Sequence, residues 1–195
     1  MSNETESGFY RLSWEQYQSI ADDLSNQIRN LDINFDFIVP IMRGGTILAI
    51  SLSHSLGITR IYPVQYKYVY ENIEGKELYH PIQMFSSIPS IKSRNKPYTI
   101  LVTEGNHSTG VTSQECINHI RSFLPNCQIY YVSIGRDYAH QERLKNTSFE
   151  LWRMLTNERK TLTIEECREL GINYYYSLYP WENLEEEPAE TVASH

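Results

Sequence analysis

Apolar and polar positions recur along most of this chain in two periods, one typical of helices and one of strands. Ser13-Trp-Glu-Gln16 has the form of a capping box, in which two polar side chains satisfy the first backbone N–H groups of a helix. Apolar side chains follow at helical spacing over residues 17–31, which predicts an amphipathic first helix. Apolar runs at 37–41 and 60–70 flank a helical pattern at 46–55, and this order predicts a parallel βαβ unit.

A second unit of the same kind comes later in the chain. The pattern predicts a strand at 98–103, a helix from 112 to about 124 and a strand at 128–134. A short helix at 163–172 is expected further on. Between the two units, residues 71–96 are polar and irregular, and they are too numerous for a simple connection. The order of elements predicts an α/β fold with a central, mostly parallel sheet flanked by helices.

The loop after the predicted strand at 98–103 has the chemistry of an anion site. A strand that ends in such a loop and leads directly into a helix aims backbone N–H groups and the positive end of the helix dipole at one point. Ser108, Thr109 and Thr112 add hydroxyl donors, and Gly110 allows close approach to the backbone. An ordinary helix entrance is the alternative interpretation of this loop alone.

A similar loop lies upstream, where an apolar run ends in Arg43-Gly44-Gly45 and a helical pattern begins at Thr46. Arg43 alone has a second interpretation as a surface arginine beside a turn. Two loops of this kind predict a ligand with two phosphate groups.

The two loops, in this order, resemble those of the type I phosphoribosyltransferases. That family pairs an Arg/Lys-Gly-Gly loop with a motif of two acids, two apolar residues and Asp-Thr-Gly that binds 5-phosphoribosyl-1-pyrophosphate (PRPP). Tyr10-Arg-Leu-Ser-Trp-Glu-Gln-Tyr17 and Tyr179-Pro-Trp-Glu182 resemble the first helix entry and the C-terminal hood of the purine branch, which handles hypoxanthine, guanine or xanthine. The resemblance covers residues 9–183 and implies this fold, with a hood and a mobile lid loop at 71–96.

The resemblance also implies roles for individual residues. The pyrophosphate would be held by Arg43, Gly44 and Gly45, with a non-proline cis peptide at Met42-Arg43. The 5-phosphate would be held by Ser108, Thr109, Gly110, Val111 and Thr112. Base recognition would fall to Tyr176, which would stack on the purine, and to Arg136, near the position of a lysine that reads the exocyclic oxygen. Glu104 would bind the ribose diol, and Glu104 and Glu182 would hold Mg²⁺ together with the ligand phosphates. The alternative for Glu182 is a solvated carboxylate of the tail, and the alternative for Tyr176 is a tyrosine of the core.

The chain departs from the family motif at two acids. Gly105 stands in place of the second acid, and Ser108 in place of the aspartate near the reacting base nitrogen. A positive φ at Gly105 would explain the glycine. His107 titrates near neutral pH and is a candidate replacement for the lost acid, with a side chain that points elsewhere as the alternative. Glu104, Ser108 and His107 are therefore the candidate catalytic residues.

Two functional classes remain open. The first is an enzyme that transfers the phosphoribosyl group of PRPP to a purine base and gives a nucleoside monophosphate and pyrophosphate. The second, the alternative, is a non-catalytic relative that binds PRPP or a nucleotide as a sensor or regulator, and the missing acids are the feature that would distinguish it. The enzyme is the function we expect from the sequence.

Composition and charge restrict the class of protein and the compartment that we expect for either activity. The chain has 195 residues, 41% of them hydrophobic, and a net charge of −7, which argues against a general nucleic-acid binder. Cys116, Cys127 and Cys167 have no metal-ligand spacing, so buried thiols in a reducing, cytoplasmic setting are expected. No apolar run predicts a membrane span. We expect one domain at 1–183, a disordered acidic tail at 184–195, and a homodimer as in the relatives.

Overall fold

The computed structural model describes residues 9–73, 76–89, 95–174 and 176–183, with the backbone alone at 68–73, 76–79 and 176. The tail at 184–195, expected to be disordered, lies outside the described residues. The elements, in chain order, are β1 (Phe9–Arg11), α1 (Trp14–Arg29), β2 (Phe37–Met42), α2 (Gly45–Leu56), β3 (Val64–Ile73), β4 (Lys76–Ser86), β5 (Tyr98–His107), α3 (Val111–Phe123), β6 (Cys127–Asp137), β7 (Phe149–Thr156), α4 (Ile164–Leu170) and β8 (Tyr176–Leu178).

Six strands form the central sheet in the order β4-β3-β2-β5-β6-β7. All neighbouring strands are parallel except β3 and β4, which form an antiparallel hairpin. The predicted α/β fold with a mostly parallel sheet is confirmed. β2 and β5 lie side by side at the centre, so the two glycine-containing loops leave the same edge of the sheet.

Helices cover both faces of this sheet, and each face has its own apolar core. Helices α1 and α2 pack on one core, to which Leu24, Leu48 and Leu101 belong, and α3 packs on the other, with Ile117 and Tyr131. The central strands are apolar on both sides because both faces are covered. The three cysteines are buried thiols, as predicted. Within the described part of the chain, no helix has the length and apolarity needed to cross a bilayer.

Two expectations about the elements are wrong. The polar segment at 71–96 is not irregular in its first part, because β3 continues to Ile73 and pairs with β4 along ten residues. The strand β7 was not expected, although it pairs with β6 over seven residues and forms one edge of the sheet. Motion of the 71–96 segment as a lid stays a prediction.

The hood joins the two ends of the described chain. Strands β1 and β8 pair in parallel, and the Leu12 N–H donates to the Leu178 carbonyl at 2.9 Å. Trp181 lies between Tyr17 of α1 and Tyr179, with ring centroids 5.0 and 5.1 Å away. The Tyr179 hydroxyl donates to the Gly105 carbonyl at 3.0 Å, which brings the hood to the carboxyl end of β5.

Candidate functional site

The two predicted phosphate loops are in direct backbone contact. A Cβ atom built on Gly45 would lie 2.1 Å from the carbonyl oxygen of Thr103, so no side chain fits there. The Thr103 hydroxyl donates to the Gly45 carbonyl at 2.9 Å and ties the strand β5 to the start of α2. A Cβ atom on Gly105 would lie 3.1 Å from the Gly44 carbonyl oxygen. The glycines therefore bring the Arg43 loop against the end of β5.

The first loop has the geometry that the resemblance implies. The Met42-Arg43 peptide is cis, and the Arg43 side chain is exposed at the edge of the sheet. The helix α2 begins directly after it, and the Thr46 N–H donates to the Arg43 carbonyl at 3.1 Å. The Thr46 hydroxyl is buried and has no hydrogen-bond partner in the described part of the chain.

The helices that start at the two loops differ from the other two in how they begin. Helices α1 and α4 each open with a complete capping box, built on Ser13 and Thr163. Helices α2 and α3 have glycine at the N-cap, Gly44 and Gly110, and no side chain that caps them among the described residues. No described side chain therefore competes for the N-termini of α2 and α3, as in helix N-termini that bind phosphate, although the Thr46 N–H already donates to the Arg43 carbonyl.

Gly110 is required at the second loop for two reasons. Its φ is +77°, a conformation that favours glycine, and it forms the N-cap of α3. A Cβ atom there would lie 2.6 Å from Nε2 of His107. The loop from Ser108 to Thr112 therefore rests on the His107 ring, with Ser108 and Thr109 half-buried and Val111 44% exposed.

Glu104 is the acid that remains at the end of β5, and its carboxylate is held inside the protein. Its Oε2 accepts hydrogen bonds from Ser113 Oγ at 2.5 Å and from the Tyr131 hydroxyl. Burial raises the pKa of Glu104, and these two hydrogen bonds together with the charge of Arg136 lower it again in part. Binding of the ribose diol by Glu104 stays a prediction, and it would require a carboxylate oxygen not used by this network.

The proposal that His107 replaces the lost acid is wrong in this structure. The His107 side chain is 2% exposed, with Nδ1 3.0 Å from the Tyr131 hydroxyl and Nε2 3.4 Å from Arg136 Nη2. Burial, with the neighbouring charges of Arg136 and His140, lowers the pKa of His107 to about 3. A neutral ring that donates from Nδ1 and accepts at Nε2 satisfies both neighbours, so His107 supports the loop.

Arg136 is also turned inward, against the expectation that it reads a base. Its side chain is completely buried and pairs with Glu150, with Nη2 2.8 Å from Oε2. The guanidinium lies 4.4 Å from the centre of the Trp152 ring. An isolated buried charge would be costly, and the pairing with Glu150 on β7 offsets part of that cost. The guanidinium is therefore enclosed by protein and does not face a ligand.

The reason suggested for Gly105 is likewise wrong. The φ of Gly105 is not positive, so backbone conformation does not demand glycine there. Close packing does demand glycine, because the Gly44 backbone lies where a side chain of residue 105 would be. The Gly105 carbonyl also accepts a hydrogen bond from the Tyr179 hydroxyl at 3.0 Å. The missing second acid is a consequence of how closely the two loops pack.

The remaining predicted residues belong to the hood. The Glu182 carboxylate accepts the Tyr179 N–H at 2.8 Å and closes the turn of the hood motif. The Tyr176 side chain lies outside the described part, so stacking on a purine stays a prediction. Among the described residues no group of three or more His, Cys, Asp or Glu residues could hold a metal. Binding of Mg²⁺ by Glu104 and Glu182 together with the ligand's phosphates stays a prediction.

Sequence reasoning missed four residues near the loops: Asn106, Glu150, Trp152 and Glu158. The run Phe149-Glu-Leu-Trp-Arg-Met-Leu-Thr156 is rich in apolar and β-favouring residues, and this signal would have found β7 and with it Glu150 and Trp152. Asn106 occupies an apolar position of the family motif, so its polarity was itself a signal.

Comparison with known proteins relates the chain to others through structure. No protein-family model and no curated protein matches its sequence. A hypothetical protein from Neisseria gonorrhoeae with bound ppGpp matches with a TM-score of 0.68 at 15% identity, over 98% of this chain and 100% of that one. The purine phosphoribosyltransferase from Pyrococcus horikoshii matches with a TM-score of 0.62 at 17% identity, over 91% and 96% of the two chains.

The Helicobacter pylori xanthine-guanine-hypoxanthine phosphoribosyltransferase matches with a TM-score of 0.58 at 16% identity, over 96% of this chain and 99% of that one. These likenesses span nearly the whole length of each chain. The chain has the type I phosphoribosyltransferase fold.

Proposed function

We propose that the two loops bind one ligand that carries a ribose 5-phosphate and a second phosphate or pyrophosphate group, namely PRPP or a purine nucleotide, and that the chain acts as a sensor or regulator. The observation that carries the proposal is that α2 and α3 begin at adjacent loops without side-chain caps, while α1 and α4 are capped. Two uncapped helix ends side by side suit two linked anions.

The residues at these loops supply the contacts that such a ligand needs. The N–H groups at the start of α3 and the hydroxyls of Ser108 and Thr109 would hold the 5-phosphate. Arg43 and the N–H groups at the start of α2 would hold the second phosphate, near the unpartnered Thr46 hydroxyl. Mg²⁺ bound to the phosphates would neutralise part of their charge. The bound ppGpp in the Neisseria gonorrhoeae structure supports a ligand of this class.

Transfer of the phosphoribosyl group to hypoxanthine, guanine or xanthine is the second candidate. It is favoured by Glu104, an acid that stands at the end of β5 beside the loop, and by the names of the two matching purine enzymes. The closed environments of His107 and Arg136 and the glycine at 105 count against it, because each removes a group that would act on the base or ribose. A homodimer stays a prediction for either function.

Calorimetric titration and a product assay separate the two candidates. We expect PRPP with Mg²⁺, and purine nucleotides, to bind with one site per chain. Incubation with PRPP, Mg²⁺ and each common purine and pyrimidine base should give no nucleotide. Product from hypoxanthine, guanine or xanthine would establish the enzyme, and absence of binding by every phosphoribosyl ligand would overturn both.

Replacement of Arg43 tests the first loop. Arg43→Ala removes a charge-assisted hydrogen bond to the second phosphate, on the order of 1.5–3 kcal/mol, and should weaken PRPP much more than a nucleoside monophosphate. Arg168→Ala removes an exposed arginine on α4 and serves as the matched control. An equal loss of both ligands in Arg43→Ala would assign Arg43 a structural role.

A further inference from the structure

Glu104 lies between the two loops and contacts the start of both helices that follow them. A Cβ atom on Gly45, the first residue of α2, would lie 3.0 Å from the Glu104 Cα atom, so the start of α2 packs on this residue. The Glu104 side chain extends toward α3, where Oε2 accepts a hydrogen bond from Ser113 in the first turn of that helix at 2.5 Å. In the proposed function the ligand has one phosphate at each of these helix N-termini, so its sugar lies beside Glu104.

The two carboxyl oxygens of Glu104 have different surroundings. Oε2 accepts hydrogen bonds from Ser113 Oγ and from the Tyr131 hydroxyl. Oε1 has no hydrogen-bond partner in the described part of the chain, and it is not closed off from solvent, since Glu104 as a whole is half-buried. Glu104 therefore has one oxygen bound within the protein and one that a ligand can reach.

Ser113 and Tyr131 form a fixed support for the bound oxygen. Both side chains are completely buried, and their hydroxyl oxygens lie 3.1 Å apart. Tyr131 is in turn held by His107, whose Nδ1 lies 3.0 Å from the tyrosine hydroxyl. Two donors that converge on one oxygen restrict the orientation of a carboxyl group, and they restrict the direction of its other oxygen as well. Because both side chains are completely buried, neither touches a ligand itself.

On the basis of the proposed function, we infer that Ser113 and Tyr131 are positioning residues that hold Glu104 Oε1 toward a ribose hydroxyl of the ligand, and that this contact selects ribose over deoxyribose. A hydroxyl both donates and accepts, so it bonds to Oε1 whether Glu104 is a carboxylate or a carboxylic acid. A deoxyribose has a hydrogen in place of one hydroxyl and leaves Oε1 without that partner. The contact thus adds selection of the sugar to the binding of the phosphates.

A purely structural role for these three side chains predicts a different result. They would then only hold α3 against the ends of β5 and β6, and their loss would weaken every ligand of the loops equally. The ratio of the affinities for two ligands that differ by one hydroxyl separates the two roles. Damage to the fold lowers both affinities and leaves this ratio unchanged, whereas loss of the positioned oxygen lowers only the affinity for the ligand with the hydroxyl.

Calorimetric titration of the full chain with GMP, 2′-deoxy-GMP and 3′-deoxy-GMP measures this ratio. For the wild type we expect at least one deoxy analogue to bind about tenfold more weakly than GMP, the effect of one hydrogen bond to a buried carboxyl group. Glu104→Ala should abolish the difference. Tyr131→Phe and Ser113→Ala should each remove most of it by weakening GMP, and should leave the affinity for that analogue nearly unchanged.

The chain offers a matched control for each of the two positioning residues. Tyr130→Phe removes a tyrosine hydroxyl from the preceding position of β6, where the ring packs on the opposite core. Ser122→Ala removes a serine hydroxyl from the far end of α3, where it donates to the His119 carbonyl at 2.7 Å. Both variants should keep the wild-type ratio. If Tyr131→Phe or Glu104→Ala does not fold, Ser113→Ala, which removes a single oxygen atom, gives the same comparison.

The outcomes separate this inference from the proposed function. Equal affinity of the wild type for GMP and both deoxy analogues would overturn selection of ribose and leave phosphate binding intact. An equal loss of all three ligands in Tyr131→Phe and Ser113→Ala would overturn their role as positioning residues and assign them a structural one. Failure of every ligand, PRPP included, to bind the wild type would overturn the proposed function and this inference with it.

Discussion

Individual residues at the second loop are linked to the strand end by packing and hydrogen bonds. His107 lies under Gly110, contacts Tyr131 and Arg136, and remains neutral because it is buried. Glu104 is held by the same Tyr131 hydroxyl. One hydroxyl thus joins the acid of the strand end to the histidine beneath the phosphate loop, so a change at either residue affects the other.

The buried histidine predicts how stability depends on pH. Because the pKa of His107 is lowered from 6.5 to about 3, the unfolded chain binds a proton that the folded chain excludes between these values. This contribution to the free energy of unfolding is complete above pH 6.5 and is lost as the pH falls toward 3, by up to about 1.4 kcal/mol per pH unit. Urea unfolding at pH 7, 6, 5 and 4 should show a steeper decline for the wild type than for His107→Gln. Parallel declines would refute the assignment of a buried neutral ring.

A substitution at Ser108 tests whether the lost acid limits transfer. Ser108→Asp places a carboxylate where the family motif has one, and general acid–base help is worth about 10²–10⁴-fold in rate. For a binding protein we expect the opposite result, weaker PRPP binding, because a negative charge then faces the 5-phosphate. The measurements are the product assay and the PRPP affinity. A rise in turnover with near-normal affinity would contradict the sensor proposal; the companion change Gly105→Asp is unsuitable because it would press on the Gly44 backbone.

At the scale of the elements, the sheet brings two helix N-termini together through glycines. Gly45 contacts Thr103, and Gly105 contacts Gly44, so β2 and β5 end in loops with no side chain between them. In the proposed function, a closely packed pair of this kind would fix the distance between two bound phosphates. Preorganised donors cost little further ordering when a ligand binds.

Gly45→Ala is expected to separate the loops. Its Cβ would lie 2.1 Å from the Thr103 oxygen, so the backbone must shift, at a cost of about 1–3 kcal/mol. We expect a lower unfolding temperature and a larger loss of affinity for PRPP than for ribose 5-phosphate. Gly57→Ala is the matched control. Gly57 has a φ of +70° and open space around it, so alanine there strains the backbone without moving either of the two loops. Similar ligand affinities for both variants would show that loop spacing does not matter.

Local chemistry explains which elements could be predicted. Each capping box, at Ser13 and at Thr163, is a pattern of four consecutive residues. Such a local pattern can be recognised in the sequence, and both helices begin where it predicts. The inward turn of Arg136 depends on Glu150, on a strand that sequence reasoning did not find. The space at Gly105 depends on Gly44, some sixty residues away, so the reason for this glycine could not be read from its neighbours in sequence.

At the scale of the whole molecule, the hood connects the helix α1 to the end of β5. Tyr179 stacks on Trp181, Trp181 packs against Tyr17, and the Tyr179 hydroxyl donates to the Gly105 carbonyl. The Tyr179 hydroxyl therefore attaches the hood to the end of β5, and aromatic packing attaches it to α1.

Tyr179→Phe removes the polar contact and keeps the ring. The Gly105 carbonyl then lacks its partner, which is expected to cost about 1 kcal/mol of stability. We expect weaker nucleotide binding and faster hydrogen exchange at the Leu12 N–H, which donates to the hood strand. Tyr62→Phe, on the other side of the sheet, is the control. Unchanged exchange at Leu12 would show that the hydroxyl does not hold the hood in place.

The pairing of β1 with β8 has a consequence for the order of folding. Phe9 meets Tyr176 across the hood, so the contact closes a loop that contains almost the whole chain. Closing so long a loop costs entropy, and this cost becomes small only after the intervening sheet has formed. The β1–β8 contact therefore forms late and contributes little to the folding transition state. Substitutions in the hood should therefore accelerate unfolding and leave the refolding rate nearly unchanged. The hood, which would cover the proposed ligand, is then the last part of the molecule to assemble and the first to open.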